Sequence, residues 1–401
     1  MNKSEIIVLP KLRDDLIYKE IEENGEKLIF MHDTGRTVEQ PVKMPASIMP
    51  ALQKLDGMTD LNEFTELIKK QYGSDVTIDS TINLINELEF LGYLLTPTHD
   101  LLVKNQRPAV CAGNSYPKDP VELRSYLDYI LSTSNKESIK PNADTIIVPH
   151  IDYQIGEGSH KAYSSAYNAI RDTKADLFVI FGTSHYGSSA RFMMSERDFH
   201  TPLGVVKNDV DLLYKLNQEL SYDLTVDEIA HRLEHSIELQ IIMLKHIFAD
   251  REFSVLPVLI GSFHDFVMKR ELPGSDSMFS EFIDSLKNVI LKSGRESVYI
   301  ASVDFAHVGR RFDDEFNAEL ILDELKAEDT ELINHLAKGE YDDFFNAVSS
   351  VGDRRRICGL SPIYSMLKLR EKKQGELLHY HQWNDKPTSS AVTFASIAYY
   401  D

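Results

Sequence analysis

The sequence predicts an α/β protein: a mainly parallel sheet flanked by helices, preceded by a small winged-helix-like α+β domain. Three observations carry that prediction. Continuous apolar runs, DTIIVPH (144 to 150), DLFVIFGTSH (176 to 185) and SVYIASVDFAH (297 to 307), alternate with stretches of helical period, as strands buried on both faces do between helices. Residues 1 to 96 read instead as a short hairpin with three helices. Between the two, TPTHDLLVKNQRPA (96 to 109) has two prolines and little periodicity, which marks a linker. The expected division is therefore 1–96 as accessory domain, 97–109 as linker and 110–401 as the α/β domain.

In the first domain LIFMHD (28 to 33) has strand character. SIMPALQKLDG (47 to 57) and DLNEFTELIKKQYG (60 to 73) space apolar residues as helices do, and each ends at a glycine. TIDSTINLINELEFLGYLL (77 to 95) reads as a third helix running into a strand. In the second domain a helix is expected from an N-cap at Ser159 to about Arg171. Further helices fall near 209 to 220, 235 to 248 and 277 to 292, with a strand FSVLPVLIG (253 to 261) among them. Helices dominate from about 313 to 373, and ELLHYHQW and SAVTFASIAYYD close the chain as strands. Ligands in such a sheet collect at the carboxyl ends of the strands.

Charge and composition exclude several classes of function. The 401 residues carry 63 acidic against 43 basic side chains, a formal net charge of -20, so neither nucleic acid nor an anionic membrane is an expected partner. A winged helix commonly binds DNA, yet Ser74 to Thr98, where a recognition helix would lie, holds four acidic residues and no Lys or Arg. No stretch reaches the roughly 20 apolar residues of a membrane span, and the N-terminus has acidic residues where a signal peptide needs a continuous apolar run. A cytoplasmic location is expected. Cys111 and Cys358 cannot build a disulfide framework.

The strand ends carry the chemistry. One gives VPH at His150, one GTSH at His185, and one SVDFAH with Asp304 and His307. Three such ends converge in a parallel sheet, which points to a shared metal or acid–base site, since imidazole is the commonest ligand for Zn, Cu and Fe. Cys358 follows Arg354, Arg355 and Arg356 directly. Three positive charges would favour a thiolate, the ligand or nucleophile form; an inert core cysteine beside solvated arginines is the other reading. Cys111 has no such neighbours and reads as structural. HRLEH (231 to 235) matches the inverted zinc-protease motif, with His231 and His235 on one helical face and Glu234 as base. His379 and His381 alternate on one strand face as ordinary sheet residues.

PHIDY (149 to 153), FGTSH (181 to 185), EHSIELQ (234 to 240), FSVLPVLIGS (253 to 262), SVDFAHVGRRF (302 to 312) and ICGLSP (357 to 362) occur in the order found in the Memo family, which this chain resembles over about residues 108 to 401. The resemblance implies a fold like the class III extradiol dioxygenases. It also implies His150, His185 and Cys358 as metal ligands, with His307, Asp304 and His235 as catalytic or site-lining groups. Two histidines and a thiolate leave open coordination positions and suit Fe(II) or Cu, with zinc also admitted. CAGNSYP (111 to 117) resembles the family's His-Ala-Gly-Ser-Trp-Tyr-Pro, but Cys111 replaces the His and Ser115 the Trp that lines the pocket of peptide-binding relatives. Bacterial members of the AmmeMemoRadiSam group imply an AMMECR1-like protein and a radical-SAM enzyme as partners.

The N-terminal segments GEKLIFMHDTGR (25 to 36) and INELEFLGYLL (85 to 95) resemble PqqD-like winged-helix modules that hold peptides or dock enzymes; an accessory domain without that role is the other reading. Three functions therefore stand at the level of sequence. One is a redox or oxygen-dependent metalloenzyme of unknown substrate. The second is a non-catalytic module binding a small molecule, peptide or partner. The third is a zinc peptidase through HRLEH.

Overall fold

A computed structural model describes residues 7–23, 25–32, 41–186, 190–371 and 374–400. The chain divides into two compact units, Met1–Pro108 and Ala109–Asp401.

In the first unit β1 (Ile17–Glu23), β2 (Glu26–His32) and β3 (Val42–Pro45) form an antiparallel sheet in that order. Residues 33 to 36 of the GEKLIFMHDTGR segment lie outside the described residues. Helix Leu61–Tyr72 starts at Asp60, whose carboxylate accepts the N–H groups of Asn62 and Glu63. Helix Ile78–Phe90 starts with a capping box between Thr77 and Ser80. Tyr93 is fully buried and donates its hydroxyl to the carbonyl of Met31 on β2. The stretch read as a linker departs from expectation. Pro97–Val103 is a helix, capped by the Thr96 hydroxyl with proline in its first turn, where the missing N–H costs nothing. A two-residue strand, β4 (Gln106–Arg107), follows it.

The second unit is built on a mixed, mostly parallel sheet. Its strands are β5 (Thr145–Val148), β6 (Leu177–Thr183), β7 (Phe192–Met194), β8 (Asp198–Thr201), β9 (Gly204–Asn208), β10 (Ser254–Ile260), β11 (Ser297–Ser302), β12 (His307–Gly309), β13 (Gly375–Asp385) and β14 (Ser390–Tyr399). The order runs β12-β14-β5-β11-β6-β10-β9-β8, with β13 paired to β14 and β7 to β10. β5, β11, β6, β10 and β9 run parallel, while β14 joins β5 antiparallel. The small strands β7, β8, β9 and β12 are additions to the sequence reading. Each is three to five residues long, too short for a period of two to show.

Alternate side chains of the buried strands enter opposite core layers. Ile147, Val179 and Phe181 pack with Phe279, Phe282 and Leu286 of helix Ser277–Ser293 and with Tyr364 and Leu367 of helix Leu360–Arg370. Ile146, Val148, Phe178 and Ile180 pack on the other face with Tyr163 and Tyr167 of helix Glu157–Ala169 and with Ile241 and Leu244 of helix His235–Ile247. Ser159 sits inside its helix rather than at its cap. Gly156 holds the cap at φ 110°, and the Ser159 hydroxyl turns back to the carbonyls of Tyr153 and Gly156. Among the described residues no helix is long and apolar enough to cross a membrane.

Candidate metal centre

Register brings the strand ends together. Ser302 of β11 pairs with Val148 of β5 on one side and with Gly182 of β6 on the other. The three chains leave the sheet in line, and His150, Asp304 and His185 follow within two or three residues. Gly182 is needed at this exit, because a Cβ there would lie 2.7 Å from both Ile237 Cδ1 and Ser236 Oγ. That close approach lets the start of helix His235–Ile247 pack on β6.

Three imidazoles meet at this edge. Ring centroids lie 5.0 Å apart for His150 and His185, 5.1 Å for His150 and His235, and 4.7 Å for His185 and His235. One ring nitrogen of each falls within 4.8 Å of the others. Each Nδ1 faces an oxygen acceptor. His150 Nδ1 is 2.9 Å from the Ser302 carbonyl, and those of His185 and His235 are 3.0 and 3.2 Å from the same oxygen, Glu234 Oε1. An acceptor of that kind fixes the proton on Nδ1 and leaves the Nε2 lone pair for a ligand bond. Gln240 supports the arrangement from below, donating to the Pro149 carbonyl at 2.9 Å and to Ser302 Oγ at 2.8 Å.

Cys358, in the turn before helix Leu360–Arg370, comes beside His150 but stays outside the group of three imidazole nitrogens that lie within 4.8 Å of one another. Its Sγ is 3.3 Å from His150 Nε2 and 3.5 Å from the Asp304 carbonyl. The next residue explains the approach: a Cβ at Gly359 would lie 2.7 Å from the Asp304 carbonyl and 2.8 Å from Val303 Cβ. Only glycine lets this turn lie so close to β11.

Burial sets the charges. It pushes the Cys358 thiol well above its usual range, and Asp304 adds to the effect. This corrects the expectation of an arginine-activated thiolate, because the arginines are occupied elsewhere. Arg354 pairs with Glu324 and Glu328, Arg355 with Glu328 and the fully buried Asp329, and Arg356 with Asp314. Asp304 is pushed up to about 7 by burial, against the pull of His235 and of the His150 and Ile151 N–H groups. His307 is pushed down to about 4 by burial. Burial opposes charge on His235, but its hydrogen bond to Glu234 outweighs that and raises it. Burial likewise opposes charge on Glu234, but the hydrogen bonds from His185 and His235 outweigh it and hold the carboxyl well below its ordinary value.

The imidazoles, Asp304 and His307 open onto a cavity of about 450 Å³. Its other walls are mainly apolar, from Ile151, Leu239, Phe312 and Trp383, with Arg311 as the cation among them. Ser115 lines it too, and donates to Asp152 at 2.6 Å. Cys111 is buried in the core, its N–H donated to Glu238, in keeping with a structural residue. His379 and His381 stack on β13, ring planes within 11°.

The inverted-protease arrangement does not form. Glu228–His231 is a short 3-10 turn and the helix begins only at His235, so His231 and His235 share no helical face. His231 Nε2 instead lies 3.0 Å from the Met193 carbonyl. Glu234, read there as a base, is engaged by both His185 and His235. Sequence reasoning missed that role, and the lining by Trp383. Two adjacent letters, EH, were the available signal, and nothing local shows that Glu234 reaches His185.

Comparison with known proteins gives a consistent picture. The description "Memo-like protein" matches residues 107–398. A MEMO1 family protein of Aquifex aeolicus is 30% identical over 403 residues, covering 98% of this chain and 100% of the relative. A MEMO1 family protein of Thermus thermophilus is 28% identical over 347 residues (84% and 98%), and one of Methanosarcina barkeri is 30% identical over 279 residues (69% and 91%).

Proposed function

The chain belongs to the Memo-like family, and from that premise we propose that it is a metal-binding protein whose His150, His185 and Cys358 hold Fe(II) or copper for a redox or oxygen-dependent reaction in the adjoining cavity. The observation that carries this reading is the state of the donors. His150 and His185 have Nδ1 committed to an oxygen, so each offers a lone pair at Nε2, and the Cys358 sulfur lies beside the first of them. A structural site would be closed by its ligands, whereas this one faces a cavity large enough for a small molecule or a peptide side chain.

A soft sulfur with two imidazoles fits Fe(II) or copper, which when bound supplies redox chemistry and polarises a coordinated oxygen. The residues around it supply the rest. His307 is neutral at physiological pH and directs Nδ1 to the Phe305 carbonyl at 3.1 Å, so its Nε2 can take a proton from a bound molecule. Asp304, with a carboxyl near neutrality, accepts the His150 backbone N–H and can hold a proton at the cavity floor. Trp383, Phe312 and Leu239 give the cavity apolar walls, and Arg311, which also reaches Asp385 at 3.8 Å, places a cation beside them.

The test is Cys358→Ser. Iron or copper content and affinity should fall sharply in that variant, and unchanged metal binding contradicts the assignment.

A further inference from the structure

Glu234 is a buried carboxylate surrounded by N–H donors. Its Oε2 accepts the His185 backbone N–H at 2.8 Å. Its Oε1 accepts the Ser236 backbone N–H at 2.9 Å, His185 Nδ1 at 3.0 Å and faces His235 Nδ1 at 3.2 Å. Four donors thus converge on this carboxylate, three of them on Oε1. Both imidazoles are therefore held with the proton on Nδ1 and with Nε2 bare. Glu234 is fully buried and caps helix His235–Ile247, where the exposed N–H groups and the helix dipole favour its charge.

His235 has the same relation to the site as the two strand-end histidines. Its ring lies at comparable distances from both, and its ligand atom falls in the same group of three as theirs. Its Nδ1 is occupied as theirs are. The same carboxylate oxygen fixes its tautomer and that of His185.

We propose that His235 is itself a metal ligand, completing a face of three imidazoles with His150 and His185, and that Glu234 is the positioning residue that orients two of the three. This rests on the metal-centre reading above and extends it by one ligand and its support. Glutamine could not replace Glu234. It has one acceptor oxygen, and its NH2 would oppose N–H groups that the carboxylate accepts.

Co(II) alone is the probe, loaded into chelator-stripped full-length protein. X-ray absorption counts imidazoles and sulfur around it, and competition titration gives its affinity. Wild type should show three imidazoles and one sulfur, and His235→Ala two imidazoles with the sulfur retained. Glu234→Gln should weaken Co(II) binding by about 10- to 100-fold, the usual cost of losing a ligand's hydrogen-bond partner. Adding it to His235→Ala should cost less than in wild type, because only His185 is then left to misplace; a merely structural role would cost the same in both. If His235→Ala does not fold, His235→Phe fills the volume without a donor and should give the same count. Two imidazoles and one sulfur in wild type, unchanged on mutating His235, overturns this inference while leaving the His150, His185 and Cys358 site intact. Failure of wild type to bind Co(II) overturns both.

Discussion

Cys358 Sγ lies 3.3 Å from Nε2 of His150, across 208 positions of sequence. The contact joins the end of β5 to the turn before helix Leu360–Arg370, so one carries an imidazole and the other a thiol to the same point. The chemistry proposed for this protein depends on that meeting.

Its geometry depends on Gly359. A methyl group there meets the Asp304 carbonyl and Val303 Cβ, both part of the β11 exit and unable to swing aside. Gly359→Ala should cost about 1–3 kcal/mol through overpacking and lower metal content as Cys358 is displaced. Denaturant unfolding and elemental analysis check the two effects, and a variant of unchanged stability would contradict the packing argument.

The arginines before Cys358 should act on stability and not on the thiol. Arg355 is buried against Asp329, so Arg355→Leu strands a buried carboxylate and should cost about 3–5 kcal/mol. Arg354 is half exposed, and Arg354→Ala should change stability by about 0–1 kcal/mol. The alkylation rate of Cys358 in metal-free protein should be slow, since burial keeps the thiol protonated, and the same in wild type and Arg354→Ala. A marked slowing in the variant would restore the activated-thiolate reading.

Asp353 gives a pH signature. Burial pushes its carboxyl up to about 6, against the Ile357 N–H and Arg355, which pull it down. A folded-state value above that of the unfolded chain, about 3.9, means the protonated form is favoured by folding. The corresponding stability is present in full below about pH 3.9 and is lost as pH rises to about 6. The stability difference between wild type and Asp353→Asn should therefore change between about pH 4 and 6 and level off above. A constant difference across that range in denaturant titrations would contradict the assignment.

His231→Gln separates the metal centre from the protease pattern. His231 turns to the Met193 carbonyl, away from the three imidazoles, so the variant should keep its metal while losing some stability. Loss of metal on this substitution would revive the HRLEH site.

How far the site was legible in the sequence follows from which signals are local. The apolar runs ending in His150, His185 and Asp304 announce both strand and exit, and the parallel pattern says that such exits converge. Cys358 was singled out by the three arginines before it, with ligand and inert core cysteine both open, and its place as a ligand came from the resemblance of its ICGLSP segment. The partners of Arg354 to Arg356 are Glu324, Glu328, Asp329 and Asp314, none of them adjacent in sequence, so a charge run beside a thiol read as activation when folding had already neutralised it. The rival HRLEH reading fails for a related reason. The pattern assumes a continuous helix, but the chain makes a 3-10 turn through His231 and starts its helix at His235. Helix Pro97–Val103 was missed because seven residues hold barely two turns, too few for a period to emerge.

The most direct test of the metal centre is elemental analysis of protein purified without oxygen or chelators, beside His150→Ala. The account predicts near-stoichiometric iron or copper in the wild type and its loss in the variant. Metal retained in full without His150, or no metal in either protein, would contradict it.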